Sequence, residues 1–96
     1  MTEESILQCA AFVCAHVADG APILYAHRDR SQFPEDSGWQ FLCGGMDHDE
    51  ASKAQIWAIH EVLELDNSLR RYISEPPEIE LKRTSENHGW VLSRTG

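Results

Sequence analysis

Short apolar segments separated by turn-forming residues run through the sequence and indicate β-strands. The first, AAFVCAHV at residues 10–17, is rich in small and β-branched residues. The turn-like ADGAP separates it from a second apolar run, ILYAHR, at residues 23–28. Because two strands joined by a short turn commonly pair with each other, we predict a β-hairpin here. Both faces of its strands are rather apolar, which is typical of a position in the middle of a sheet.

A third strand is predicted at residues 39–43, after the turn-forming loop DRSQFPEDSG. Aromatic residues on one face of this strand would lie in the core together with Cys43, and glycines at its two ends would let the backbone bend. We therefore expect this segment to define part of the fold. Its structural residues are Ser37, Gly38, Trp39, Phe41 and Gly44.

One helix is predicted over residues 51–66, where apolar residues recur with the helical period. The arc that would pack on the sheet consists of Ala51, Ala54, Ile56, Ala58, Ile59, Val62, Leu63 and Leu65. Trp57 would project from the polar arc, close to Glu61 and Glu64. Carboxylates before the helix suit the partial positive charge of its N-terminus, each contributing about 0.3–1 kcal/mol. They are Asp47, Asp49 and Glu50.

The remaining sequence predicts a short helical turn at residues 69–73, ended by Pro76 and Pro77, and then a C-terminal hairpin. The strands of this hairpin are the alternating segment IELKR and the segment WVLSR. The predicted element order is βββαββ. It indicates an α+β fold in a single domain over residues 1–96, with an antiparallel sheet of about five short strands packed against one main helix.

The charge of the chain limits the classes of partner. Sixteen Asp and Glu against eight Lys and Arg give a formal net charge of −8, which repels phosphate backbones and anionic lipids. We therefore expect no nucleic-acid or membrane partner. The negative electrostatic field of the chain would instead attract a basic protein. No apolar run reaches the ~18 residues that span a bilayer, and the acidic N-terminal residues are unlike a secretory signal. We expect a cytoplasmic protein.

Patterns that could indicate catalysis or metal binding are weak. HEVLE at residues 60–64 lacks the second histidine of the zinc-protease motif, and MDHDE at residues 46–50 lacks the spacing of a calcium loop. The three cysteines contain no C-x-x-C pair, and burial of Cys43 on an apolar strand face would disfavour a reactive thiolate. Ser37 lacks the surroundings of a nucleophile elbow. We therefore predict no catalytic residue, no bound metal and no cofactor.

The stretch EDSGWQFLCGGMDHDE, together with IWAIHEVLELD, resembles a family of small bacterial domains grouped among the predicted immunity proteins of polymorphic toxin systems, in the numbered class thirty-three. The shared elements are the DSGW-x-F-x-x-G core, the acidic residues after it, and Leu63-x-Leu65-Asp66 before the two prolines. The resemblance covers residues 10–83. It implies a non-enzymatic protein that acts in the producing cell and blocks a toxin by binding it.

In this interpretation an acidic rim would steer the chain toward a basic toxin surface, and Trp57 or the loop at residues 34–38 would anchor the contact. The rim consists of Asp36, Asp47, Asp49, Glu50, Glu61 and Glu64. Cover of Trp57 by the chain itself is the commoner case for such a side chain, and the anchor role applies where that cover is missing. Two other classes also stay open: a small-molecule or metal-sensing module that uses the histidines and MDHDE, and, as the weakest, a small hydrolase.

Overall fold

The computed structural model describes residues 6–31, 33–44 and 54–94. It shows an α+β fold in which one β-sheet packs against one main helix, and this confirms the predicted fold class. In chain order the strands are β1 (Ala10–Val13), β2 (Tyr25–Arg28), β3 (Asp36–Leu42), β4 (Gln55–Ala58), β5 (Ile79–Lys82) and β6 (Val91–Arg94). The helical elements are α1 (Ala15–Ala18), the main helix α2 (Ile59–Leu65), and a 3-10 turn at Asn67–Leu69.

Within the described residues the sheet contains six strands, in the order β4-β1-β3-β2-β5-β6. β1 and β3 are parallel, and the other neighbouring pairs are antiparallel. The predicted C-terminal hairpin is present, because β5 and β6 pair from Ile79 with Arg94 to Lys82 with Val91. The antiparallel arrangement predicted from the sequence is thus corrected to a mixed sheet with one parallel pair.

The predicted N-terminal hairpin is wrong, because β3 lies between β1 and β2. β1 ends at Val13, and most of the residues expected to extend it form α1 instead. Alanines at both ends of α1 favour a helical turn, and this turn buries Val17. Closeness in the sequence therefore predicted a pairing of β1 with β2, whereas each of these strands pairs with β3.

The predicted helix over residues 51–66 is shorter in the structure. Its first residues, 51–53, lie outside the described residues, and Gln55–Ala58 form β4, which pairs along its whole length with β1. In this segment the hydrogen bonds to β1 stabilise a strand, although the spacing of the apolar residues also fits a helix. α2 begins after Ala58, whose backbone N–H donates to the carboxylate of Glu61 at 2.9 Å. No described helix is long and apolar enough to cross a membrane.

The core lies on one face of the sheet. The buried side chains of the described strands all point to this covered face. They are Ala11, Val13, Ala26, Ser37, Trp39, Phe41, Ile79 and Leu81. From α2 the core receives Ile59, Val62 and Leu63, which the helical period also predicts. Ile56 and Leu65, which the same period places in the apolar arc, are exposed.

β3 contains an irregularity that sets its register against β1. Between Ala10 and Phe12 the register shifts, so that a step of two residues in β1 corresponds to a step of four in β3. Ser37 is buried at this point: its hydroxyl donates to the carbonyl of Ala10 at 2.7 Å and accepts from the backbone N–H of Trp39 at 3.1 Å. The buried hydroxyl of Ser37 therefore has both a donor and an acceptor at the irregularity, as buried polar groups require.

Two glycines are required by the backbone of β3 and its end. Gly38 has a φ of +81°, in the left-handed region that other residues rarely adopt, and a Cβ atom there would lie 2.0 Å from the carbonyl oxygen of Asp29. The backbone N–H of Asp29 donates to the carbonyl of Gly38 at 2.9 Å, so the two segments cannot easily separate. Gly44, two residues after the end of β3, has a φ of +77°.

A buried cation joins the C-terminal hairpin to the end of α2. Only 3% of the Arg83 side chain is exposed, and its guanidinium forms an ion pair with Asp66. The same group donates to the carbonyl of Ile23 at 2.9 Å and lies 4.1 Å from the ring centre of Trp90. Because a buried charge is stable only with such partners, this cluster specifies how the hairpin lies against α2.

We predict that Gly38→Ala destabilises the fold strongly. The clash with Asp29 and the positive φ together should lower the free energy of unfolding by at least about 2 kcal/mol. Gly89→Ala is the matched control, because no heavy atom lies within 4 Å of a Cβ at that position. Its effect should stay below about 0.5 kcal/mol. Chemical denaturation measures both variants, and equal stabilities would contradict the role assigned to Gly38.

Candidate protein-binding surface

The face of the sheet opposite the core forms a second surface, called the open face here. Among the described residues none of the strand side chains on this face is buried. One row of paired residues crosses all six strands and contains Ile56, Phe12, Gln40, His27, Glu80 and Ser93. A second row crosses four strands and contains Leu42, Tyr25, Lys82 and Val91. The open face is therefore one continuous surface built by backbone pairing.

Apolar side chains are concentrated where β4 and β1 contribute to the open face. Phe12 is 44% exposed, Ile56 is 67% exposed, and the two residues pair across these strands. Together with Ala10 they form the apolar patch, which lines a depression of 170 Å³ that Asp36 also borders. Full burial of a large apolar side chain is worth roughly 1.5–3 kcal/mol, and each of these two partly exposed side chains forgoes a part of that free energy. An exposed apolar surface with a polar border is typical of an interaction site.

Polar side chains occupy the middle of the open face, on β2 and β5. The Tyr25 hydroxyl donates to the Glu80 carboxylate at 2.9 Å, and the Lys82 ammonium lies 3.4 Å from the other oxygen of that carboxylate. Burial of the phenol and its hydrogen bond to Glu80 raise the pKa of Tyr25. The same hydrogen bond, together with Lys82, lowers the pKa of Glu80. Near neutral pH the pair therefore consists of a neutral tyrosine that donates to an ionised glutamate.

The acidic residues predicted to form one rim lie on different sides of the domain. Asp36 is on the open face, at the border of the apolar patch, and its carboxylate accepts a hydrogen bond from the backbone N–H of Gly38 at 2.9 Å. Glu61 and Glu64 are exposed on α2, which packs against the covered face. Outside the described residues lie Asp47, Asp49 and Glu50. The structure thus does not bring Asp36 together with the two glutamates.

Trp57 occupies a different position from the predicted one. It belongs to β4 and pairs with the buried Ala11, so its side chain points to the covered face at the edge of the sheet. The half-buried indole packs against the core, and its Nε1–H donates to the Oε1 of Gln55 at 3.0 Å. The chain itself therefore covers much of this ring.

A cluster of potential metal ligands lies at the end of β1 and β3. One ligand atom from each of Cys14, His16 and Cys43 lies within 4.8 Å of the other two. Alternation along β3 predicts Cys43 on the apolar strand face, but the strand ends one residue earlier. The half-buried Cys43 places its Sγ atom 3.7 Å from the Nδ1 of His16. Sequence reasoning missed this cluster, because no short spacing motif joins the three positions.

Sequence reasoning also missed Phe12 and Ile56 as surface residues. The helical period places Ile56 in a buried arc, and Phe12 belongs to the predicted central hairpin. One signal was available: the segment QIWA at residues 55–58 combines β-branched and aromatic residues, which favour strands. In so short a segment this preference cannot be separated from the helical period without knowledge of the pairing partner.

Comparisons with known proteins place the domain in a family. The sequence model of the family described as the immunity protein Imm33 domain matches residues 12–93. A search of curated proteins found no match, and a search of solved structures found none either. The matched region extends from β1 into β6 and confirms the resemblance inferred from the sequence. The chain therefore belongs to the Imm33 immunity protein domain family.

Proposed function

We propose that the chain is a non-enzymatic immunity protein, which acts in the cytoplasm of the producing cell and neutralises a toxin by binding it directly. The observation that carries this proposal is the family match over residues 12–93. An immunity role requires a protein partner, and the exposed apolar patch supports one, because the centres of protein interfaces combine apolar anchors with a polar rim.

In this proposal the apolar patch is the surface that contacts the toxin. A partner that covers Phe12 and Ile56 removes apolar area from water, which is worth about 25 cal/mol per Å². Asp36 at the border and Gln40, which pairs with Phe12 in the neighbouring strand, would supply polar contacts around this centre. Trp57 would act mainly as a support of β4, since its ring already packs against the core.

The negative charge of the chain would act earlier, while the toxin approaches. A net charge of −8 attracts a basic protein and raises the rate of encounter. Electrostatic steering depends on the summed electric field of all charges of the protein and does not require contact with the partner. Carboxylates on both sides of the sheet therefore contribute to it. The proposed steering residues are Asp36, Asp47, Asp49, Glu50, Glu61 and Glu64.

The proposal is tested with the genes on both sides of the one that encodes this chain. Each neighbouring product is expressed from an inducible promoter in a heterologous host, with and without this chain. We expect one product to arrest growth, the chain to restore growth, and the two purified proteins to elute together in size-exclusion chromatography. Restored growth without a complex would contradict direct binding, and failure to protect against a toxic neighbour would contradict the immunity role.

Within such a complex we predict that Ile56→Asp weakens affinity by at least about tenfold, mainly through faster dissociation, because a charge replaces an apolar anchor. Val91→Asp is the matched control, since Val91 is 64% exposed on the same face but lies on β6, at the opposite edge of the sheet. It should change affinity by less than about twofold. Surface plasmon resonance gives both values, and equal losses would exclude the apolar patch as the contact surface.

A further prediction concerns the association rate. The triple variant Asp36→Asn, Glu61→Gln, Glu64→Gln removes three charges but keeps the side-chain oxygens that accept hydrogen bonds from the backbone. We expect slower association and a weaker dependence of the association rate on salt, with a smaller change in dissociation from the polar contact of Asp36. Glu86→Gln, on the turn between β5 and β6, controls for the loss of one charge at a distant site. An association rate unchanged at all salt concentrations would refute the steering role.

A further inference from the structure

We propose that Cys14, His16 and Cys43 form a zinc-binding site, which is separate from the apolar patch. Two thiol sulfurs and one imidazole nitrogen converge there, each within 4.8 Å of the others. Thiolate sulfur and imidazole nitrogen are ligands that Zn²⁺ uses in proteins, and sets of two cysteines and one histidine are among the known combinations. The donor atoms of this cluster therefore match zinc in type, and a water molecule would complete the four ligands that zinc takes.

The topology of the sheet brings these residues together. β1 and β3 are parallel, so their carboxyl ends meet at the same edge, where Cys14 directly follows β1 and Cys43 directly follows β3. The backbone N–H of Cys14 donates to the carbonyl of Phe41 at 3.1 Å, which holds the two strand ends side by side. His16 belongs to α1, which starts one residue after Cys14 and turns the imidazole back toward Cys43. The cluster is thus a consequence of the parallel pairing.

The distances within the cluster suit a tetrahedral ion. With Zn–S bonds of about 2.3 Å and a Zn–N bond of about 2.0 Å, tetrahedral angles place a sulfur and a nitrogen ligand about 3.5 Å apart and two sulfurs about 3.8 Å apart. The Cys43 Sγ lies 3.7 Å from the His16 Nδ1. The widest separation, at most 4.8 Å, reaches the tetrahedral value after side-chain shifts of about 1 Å.

The burial of the three ligands supports uptake from solvent and retention by the protein. Cys14 is buried, Cys43 is half-buried and His16 is exposed, so an ion would enter from the side of His16. Zn²⁺ would neutralise two thiolates that are costly to keep charged at a partly buried position. Three protein ligands leave the fourth position to water. The ion would tie α1 to the end of β3.

The test is zinc binding by the full-length chain after removal of metal, in the presence of a non-thiol reductant. We expect one Zn²⁺ per chain with submicromolar affinity, measured by competition with a chromophoric chelator, and a higher melting temperature with zinc. Co²⁺ in place of Zn²⁺ should give thiolate-to-metal charge-transfer absorption. A chain that binds no zinc at micromolar concentration, or a Co²⁺ complex without that absorption, would overturn the proposal.

Variants locate the ion. Cys43→Ser and His16→Ala change side chains that are not fully buried, and each should weaken zinc affinity by at least about 100-fold. Mutation of a residue that only hydrogen-bonds to a metal ligand already lowers metal affinity by about 10–100-fold, and the loss of a ligand itself should cost more. The first control is Cys9→Ser, which keeps a donor for the carbonyl of Pro34, and the second is His60→Ala, an exposed histidine on α2. Both controls should bind zinc like the unchanged chain. Equal affinities of all four variants would place the ion elsewhere and refute the site.

Discussion

The parallel pairing of β1 with β3 is the contact on which the other features of this domain depend. β3 separates β1 from β2, and its register shifts against β1 at the bend that contains Ser37 and Gly38. The hydroxyl of Ser37 bonds to backbone groups of both strands. Because β3 advances by four residues where β1 advances by two, the shift is even and the side chains keep their faces. Buried and half-buried residues therefore continue to alternate along β3, with Trp39 in the core and Asp36 on the open face.

A half-buried cation connects this pair of strands to the rest of the chain. Arg28 on β2 donates to the carbonyls of Ser37, Ile73 and Glu75, at 2.8, 3.3 and 2.6 Å. Burial lowers the pKa of Arg28, but a guanidinium stays charged, and three carbonyl partners offset the cost of its partial desolvation. The carbonyl of Ile73 also accepts from the indole of Trp39 at 3.0 Å. One network of hydrogen bonds thus joins β2, β3 and the segment after α2, and it holds this segment in place over the covered face of the sheet.

Features that depend on neighbours in the sequence were predictable, and features that depend on distant pairing were not. Alternation placed Trp39 and Phe41 in the core, and the hairpin of β5 and β6 follows from two adjacent strand patterns. The segment that forms β4 fits the helical period equally well, and only its bonds to β1 decide between strand and helix. The exposure of Ile56 and Phe12 results from that pairing. The apolar patch could therefore not be predicted, although the family and the fold class could.

The same pairing separates the two proposed sites along β1. Alternation directs Ala10 and Phe12 to the open face, whereas Cys14 follows the carboxyl end of the strand and is buried beside α1. A toxin and a zinc ion would therefore not compete for side chains. An ion at Cys14 would affect the apolar patch only through the position of β1 between β3 and β4. Loss of the ion would first weaken the backbone pairing at the carboxyl end of β1. It would change the contact surface only if the separation of the strands extended back to Phe12.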